Sequence, residues 1–188
     1  MPRPNWFFGF PIAGEFVLEL PPLPPNFRRL HPDDIHLTLA FLGGCGEAGA
    51  ERALQALDER LVGPLRKTID VTLGLVVPMG PRGRYSALSA LLNEGREVTE
   101  SRITQLRDAL TAAATGRIEK REAKAHVTLA RPGARATDAQ RASGLTWASG
   151  LDLSGQRARL ERVALYTWSE NRAERAFRIV TERTLDPA

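Results

Sequence analysis

Two short segments of the chain place the same residue types at the same spacing. His36-Leu37-Thr38-Leu39-Ala40 and His126-Val127-Thr128-Leu129-Ala130 each put a threonine two positions after a histidine, with apolar residues between and after them. Residues i and i+2 of a β-strand point to the same face, so each histidine is expected to project beside its threonine. The two segments therefore predict two strands that each present one imidazole and one hydroxyl.

These groups suit phosphoryl chemistry that uses no metal ion. Because imidazoles titrate near pH 7, one of His36 and His126 could act as a neutral base and the other as a protonated acid. The β-branched Thr38 and Thr128 are stiff hydroxyl donors that could hold non-bridging phosphate oxygens. If the two strands lie side by side, the four side chains line one cleft. Such a cleft could hydrolyse a cyclic phosphodiester.

Three simpler interpretations compete with this one. A single histidine on a strand is commonly a core or surface residue, and threonine is common in strands, but the matched pair in otherwise apolar strands favours a site. A zinc site needs three or four ligands, and His31 in a Pro-Asp-Asp turn and Cys45 in a glycine turn lack ligand spacing. Nothing near Cys45 marks it as an activated nucleophile. We expect neither a metal nor another cofactor.

Length and composition are those of a soluble globular protein. The 188 residues are enough for one domain, spanning 1–188, and 43% are hydrophobic and 26% charged, which excludes disordered and collagen-like chains. No apolar run is long enough to span a membrane, and the N-terminus lacks the pattern of a signal peptide. The single cysteine excludes an internal disulfide. We therefore expect a cytoplasmic protein without a membrane partner.

The charge balance permits a nucleic-acid partner. Lys and Arg total 26 against 22 Asp and Glu, a net charge of +4. Arg131, Arg84 and Lys124 are candidate RNA contacts, although for each of them alone a solvated surface charge is the favoured interpretation. Arg131 follows His126 by five positions, and this odd spacing directs it to the opposite face unless the strand bends. Four aromatic residues could stack a base but are expected in the core: Phe7, Phe8, Tyr85 and Tyr166.

The pattern of apolar residues predicts an α+β fold. Strands are expected near 5–11, 15–20, 35–42, 68–77, 84–92, 125–131, 158–168 and 174–182, and helices near 48–62, 97–114 and 136–143. The strand–helix–strand–strand order that begins at His36 is repeated from His126. We therefore predict a bilobal, duplicated architecture in which mixed or antiparallel sheets flank a central cleft.

The paired histidine motifs resemble those of the 2H phosphoesterase family. Within it, the chain is most similar to the RNA 2′,3′-cyclic phosphodiesterases, also called 2′-5′ RNA ligase-like proteins. Residues 34–43 resemble the first motif block of that family, and residues 126–131 resemble the second. Weaker similarity extends to the aromatic residues 6–10 and to the late strand 163–166, with Ser169 soon after.

The resemblance implies a bilobal α+β fold and metal-independent hydrolysis of RNA 2′,3′-cyclic phosphate ends to 2′-phosphates. It implies that His36 is the general acid, that His126 is the general base, and that Thr38 and Thr128 bind the phosphate. The chain departs from the family in its short, proline-rich interval before the first motif, where the family has a helix, and in residues 121–125 and the loop 78–84.

Two other functions remain open. The same site could act on a small nucleotide, such as ADP-ribose cyclic phosphate or a 2′-5′-linked oligoadenylate. The cleft could also bind RNA ends without turnover, although two intact histidines argue against a pure binding protein. Nothing in the sequence implies a protein partner, and we expect a monomer.

Overall fold

The structure, a computed structural model, describes residues 3–188, so Met1 and Pro2 lie outside it. Within that range there are nine strands and three α-helices. The strands are β1 (Trp6–Pro11), β2 (Phe27–Arg29), β3 (His36–Gly43), β4 (Ile69–Met79), β5 (Ala87–Leu92), β6 (His126–Pro132), β7 (Arg157–Leu160), β8 (Arg162–Trp168) and β9 (Phe177–Thr184). The helices are α1 (Gly46–Arg60), α2 (Arg96–Thr115) and α3 (Asp138–Ser149).

All nine strands belong to one curled sheet in which the paired strands run antiparallel. Their order is β7-β4-β5-β6-β3-β1-β8-β9, and the short β2 pairs with β6. The centre of the sheet is the contact between β3 and β6, the two strands that begin with the motif histidines. Strands β1, β8 and β9 continue the sheet on one side of this contact, and β5, β4 and β7 continue it on the other.

The predicted duplication is present. The order β3-α1-β4-β5 is followed by β6-α3-β7-β8, so each unit begins at a motif histidine. The units exchange strands, because β4 and β5 of the first unit lie beside β6, whereas β8 of the second unit lies on the β3 side, next to β1. The α+β class and the two-part architecture expected from the sequence are therefore confirmed.

The helices cover one face of the sheet with their apolar sides. Helix α2 packs on β3 and against α1, and α3 packs on β4 and β5. Helix α2 is capped by Gly116, the residue after its end, whose φ of +71° is the left-handed conformation that glycine adopts readily. A capping box between Thr137 and Gln140 begins α3. No helix within residues 3–188 is long and apolar enough to cross a membrane.

Two predicted strands are wrong. The predicted strand 158–168 is two strands, because β7 pairs with β4 whereas β8 pairs with β1 and β9. The segment from Glu15 to Leu18 forms a 3-10 helix, although its Phe16-Val17-Leu18 sequence suits a strand. The reason is tertiary, because β1 already pairs with β3 on one edge and β8 on the other, which leaves no edge for a hairpin partner. Val17 is buried in the core instead.

The apolar residues between the motif positions form the centre of the core. Leu37, Leu39, Val127 and Leu129 are at most 1% exposed. We expect Leu37→Ala to lower the free energy of unfolding by about 2–5 kcal/mol, because it leaves a cavity at the contact between β3 and β6.

The matched control is Leu75→Ala in β4, because Leu75 is 77% exposed. Its effect should stay within about 0.5 kcal/mol. Urea unfolding of both variants measures the difference, and equal effects would contradict the assigned core.

Candidate active site

The register between β3 and β6 brings the four predicted site residues together. Leu37 pairs with Val127 in an antiparallel ladder. In this antiparallel register, His36 lies opposite Thr128 and Thr38 lies opposite His126. All four motif side chains are partly exposed, whereas Leu37 and Val127 are fully buried on the other face. The predicted cleft with two imidazoles and two hydroxyls is therefore present.

Both imidazoles are oriented in the same way by the backbone. His36 Nδ1 lies 2.6 Å from the carbonyl oxygen of Asp34, and His126 Nδ1 lies 2.6 Å from that of Lys124. A carbonyl oxygen only accepts, so Nδ1–H is the donor in each ring. The Nε2 atom of each histidine is then the one left to give or take a proton in the cleft.

His36 is enclosed by aromatic rings. The ring centroids of Phe7, Tyr166 and Phe177 lie 4.7, 5.2 and 5.6 Å from that of His36. Phe7 is also stacked on Tyr166, with an interplanar angle of 5°. Burial disfavours the charged imidazolium and lowers the pKa of His36 from 6.5 to about 4.

His126 has more polar surroundings. It lines a cavity of about 300 Å³ together with Thr38 and with charged residues of both signs: Arg107, Arg121, Lys124, Glu119 and Glu122. Burial also lowers the pKa of His126, and the positive charges of Lys124 and Arg131 act in the same direction. The two histidines thus share a backbone geometry but differ in environment.

A β-bulge interrupts each motif strand directly after its threonine. In β3, Phe8 of β1 pairs with Ala40 and the next residue, Gly9, pairs with Thr38, so Leu39 is an extra residue. An extra residue of this kind reverses the alternation of side chains beyond it. Phe41 therefore lies on the cleft face, where it is 54% exposed and lines the cavity beside His126.

The bulge in β6 is equivalent and turns Arg131 into the cleft. Leu88 of β5 pairs with Ala130 and Ser89 pairs with Thr128, which leaves Leu129 as the extra residue. The positive charge of Arg131 lowers the pKa of both His36 and His126, as expected of a group on their face. Arg131 therefore lies on the same face as His126 despite the odd number of positions between them, because the bulge reverses the alternation of side chains.

The two threonines differ in their partners. Thr128 Oγ1 lies 3.2 Å from the hydroxyl of the buried Ser89, and either group can donate. Thr38 faces Gly9, where a Cβ atom would approach His36 Cδ2 to 3.3 Å. Glycine at this position leaves room for the imidazole of His36. The hydroxyl of Thr128 is thus oriented by a neighbour, whereas Gly9 offers Thr38 no side chain.

The other predicted contacts are distributed differently. Lys124 lines the cavity beside His126, whereas Arg84 lies exposed in the turn between β4 and β5, outside that cavity. Of the candidate stacking residues, Phe8 and Tyr85 are core residues, while Phe7 and Tyr166 pack beside His36.

Sequence reasoning missed Phe41 and Asp34 as parts of the site. Phe41 follows Thr38 by three positions, as Arg131 follows Thr128. This equal spacing could have indicated that Phe41 and Arg131 occupy equivalent positions beside the site. Asp34 carries no such signal, because its contacts are made with the distant residues Ala176 and Phe177.

The alternative site residues lie apart from one another. His31 accepts a hydrogen bond from Asp33 N at the start of a 3-10 helix, and Cys45 precedes α1, where burial raises the pKa of its thiol. Among residues 3–188, no cluster of three or more His, Cys, Asp or Glu side chains could hold a metal ion. A larger groove of about 670 Å³, lined in part by Arg157 and Arg175, includes neither motif histidine.

The lowered pKa of His36 should make the free energy of unfolding depend on pH. Between pH 6.5 and about 4 the unfolded chain binds a proton at His36 that the folded chain does not, so the free energy of unfolding falls as the pH drops through this window. We expect the wild type to lose about 1–3 kcal/mol more than His36→Gln between pH 7 and 4.5. Urea unfolding of both proteins against pH measures the difference, and equal slopes for wild type and His36→Gln would contradict the lowered pKa of His36.

Neither family models nor curated proteins match the sequence, but solved structures match its fold. Escherichia coli LigT without ligand is 18% identical with a TM-score of 0.68, and a structure described as a phosphoesterase is 21% identical with a TM-score of 0.70; each match covers 98% of this chain and 99% of the other. The protein TT0787 of Thermus thermophilus is 21% identical with a TM-score of 0.71, covering 96% and 97%. LigT has also been crystallised with 3′-AMP and with phosphate. The chain therefore has the fold of these proteins over nearly its whole length.

Proposed function

We propose that this protein hydrolyses the 2′,3′-cyclic phosphate at RNA ends to a 2′-phosphate by acid–base catalysis without a metal ion. In the proposed step, a water oxygen bonds to phosphorus and its proton passes to His126 Nε2. The bond from phosphorus to the 3′ oxygen breaks, and His36 Nε2 supplies the proton that this oxygen takes up. The product carries a 2′-phosphate and a free 3′-hydroxyl.

The observation that carries this proposal is the matched orientation of the two histidines. Each fixes its Nδ1–H on a backbone carbonyl and presents Nε2 on the same cleft face, which is the arrangement that a two-proton transfer across a phosphate needs. The fold adds support, because LigT, which shares it, has been crystallised with a nucleotide and with phosphate.

The acid role of His36 follows from the resemblance and depends on how the substrate changes the pKa of this residue. In the free protein, burial lowers the pKa of His36 and so favours its neutral form. Its charged form is scarce at neutral pH in the free protein. A bound phosphodiester anion raises the pKa of a nearby histidine, so substrate binding would favour the protonated form of His36 that the acid role needs.

The remaining cleft groups suit the charge of the phosphate. The hydroxyls of Thr38 and Thr128 would donate to its non-bridging oxygens, and the guanidinium of Arg131 would offset the charge that develops on them. Lys124 would contribute at the mouth of the cavity. Arg84 lies exposed in the turn between β4 and β5, so its contact with RNA stays a prediction.

A substrate screen separates this function from its alternatives. It compares 2′,3′-cyclic phosphates on mononucleotides and oligoribonucleotides with ADP-ribose cyclic phosphate and 2′-5′-linked oligoadenylate. Preference for oligoribonucleotide ends supports the proposal, whereas turnover of only the small nucleotides assigns the site to them. RNA binding without turnover of any of these compounds would contradict an enzymatic function.

Removing either motif histidine should abolish most of the activity. We expect His36→Ala and His126→Ala each to lower kcat/KM for a cyclic phosphate by about 10²–10⁴-fold, the usual contribution of a positioned acid or base. The double variant should lose much less than the product of the two losses, because the groups act together.

His31→Ala is the matched control, because this exposed histidine lies outside the cleft. Its turnover should stay close to that of the wild type. Near-normal turnover of either motif variant would remove that histidine from the mechanism.

The threonines and the product test the geometry of the proposed step. Thr38→Val and Thr128→Val keep the side-chain shape but remove the donor, and each should lower the rate by about 10–10³-fold. Thr146→Val, at an exposed site on α3, is the control. Phosphorus NMR of a hydrolysed mononucleotide should show the 2′-phosphate; a dominant 3′-phosphate would reverse the orientation of the substrate.

A further inference from the structure

We propose that Asp34 is a positioning residue whose carboxylate holds the β8–β9 hairpin against His36. The inference rests on the function proposed above for His36, but its structural part can be tested without substrate. Asp34 lies two positions before His36, at the end of a 3-10 helix (Pro32–Asp34), and is only 2% exposed.

Both carboxylate oxygens of Asp34 accept hydrogen bonds from the backbone of the hairpin. Its Oδ2 accepts from Ala176 N at 2.6 Å, and its Oδ1 accepts from Phe177 N at 3.0 Å. A buried carboxylate is costly unless it is hydrogen-bonded, and two backbone donors supply these bonds. The contact joins residues 142 and 143 positions apart, so it ties the C-terminal strands to the first motif.

The same residue also orients the imidazole. The backbone carbonyl of Asp34 accepts from His36 Nδ1 at 2.6 Å. Asp34 therefore fixes His36 directly through its main chain and fixes Phe177, which packs edge-on against His36, through its side chain. A single residue thus sets both the direction of the ring and the position of one wall around it.

The second motif has no equivalent of this link. Lys124 occupies the matching position, and its carbonyl makes the matching bond to His126 Nδ1. Its side chain is exposed and lines the cavity beside His126. The comparison separates the two functions of Asp34, because the carbonyl contact is common to both motifs and the hairpin contact is specific to the first.

Several charged or titratable groups face His36 and determine how its pKa responds. They are Asp34 itself, His126 and Arg131 on β6, and Tyr166 on β8. Burial is the largest influence and lowers the pKa, whereas the negative charge of Asp34 raises it. Removing the charge alone would lower the pKa further, while releasing the hairpin would admit water and raise it. The direction of the change therefore reveals which effect operates.

The experiment compares Asp34→Asn with Asp33→Asn. Asp33 is the exposed neighbour, whose carboxylate makes only longer contacts, 3.5 Å to Arg175 and 3.7 Å to His31. NMR titration of the folded proteins gives the pKa of His36, with its resonances assigned through His36→Gln. Hydrogen exchange at Ala176 and Phe177 reports on the hairpin, and steady-state kinetics on a cyclic phosphate report on turnover.

We expect Asp34→Asn to raise the pKa of His36 towards 6.5 and to speed exchange at both amides. It should lower kcat by about 10–10²-fold with a smaller change in KM, because a displaced catalytic group costs rate more than binding. Asp33→Asn should change none of these substantially. Protected amides with a lower pKa of His36 in Asp34→Asn would overturn the proposal, even if turnover fell.

A second variant keeps the test valid if Asp34→Asn does not fold. Phe177→Leu retains both backbone donors but removes the ring from His36, so the amides should stay protected while the pKa of His36 rises. An unchanged pKa would overturn the role of the hairpin as a wall. If the wild type hydrolyses no cyclic phosphate, the proposed function fails, and the titration and exchange results still decide the role of Asp34.

Discussion

The antiparallel contact of β3 with β6 is the constraint on which the site depends. Leu37 and Val127 pair at this contact and are fully buried, so the alternating residues of both strands are directed to the opposite face. A register shift of one residue would bury the histidines and expose the leucines. The burial of apolar side chains therefore also places the two histidines and two threonines on one face, so the same pairing sets the stability of the core and the geometry of the candidate site.

The two motif strands have similar backbones, but a few matching positions carry different residues and so give the two histidines different surroundings. Gly9 and Ser89 occupy matching positions opposite the two threonines, and Phe41 matches Arg131. Glycine makes room for the imidazole of His36, while serine orients the hydroxyl of Thr128. Equivalent main-chain geometry with unequal surroundings is a direct way to separate the properties of two identical groups. The aromatic wall around His36 is the largest of these differences.

Local pattern was sufficient where a segment's own residues decide its structure. The alternation in β4 and the apolar stripes of α1 and α2 predicted those elements to within a few residues. It failed at residues 15–20, because a strand needs a free edge and β1 had none. The helix predicted at 136–143 was also too short, because few apolar side chains mark the length of α3, which is observed at Asp138–Ser149.

The sequence by itself determined that each motif histidine projects beside its threonine, because residues two positions apart in a regular strand share a face. It also determined the α+β class and the duplication. Only the tertiary structure decided that Arg131 and Phe41 face the cleft, because each bulge is a mismatch between two strands rather than a feature of one. The link from Asp34 to the distant hairpin was likewise decided by the fold, since hydrogen bonds between residues more than 140 positions apart exist only once the sheet has closed around the site.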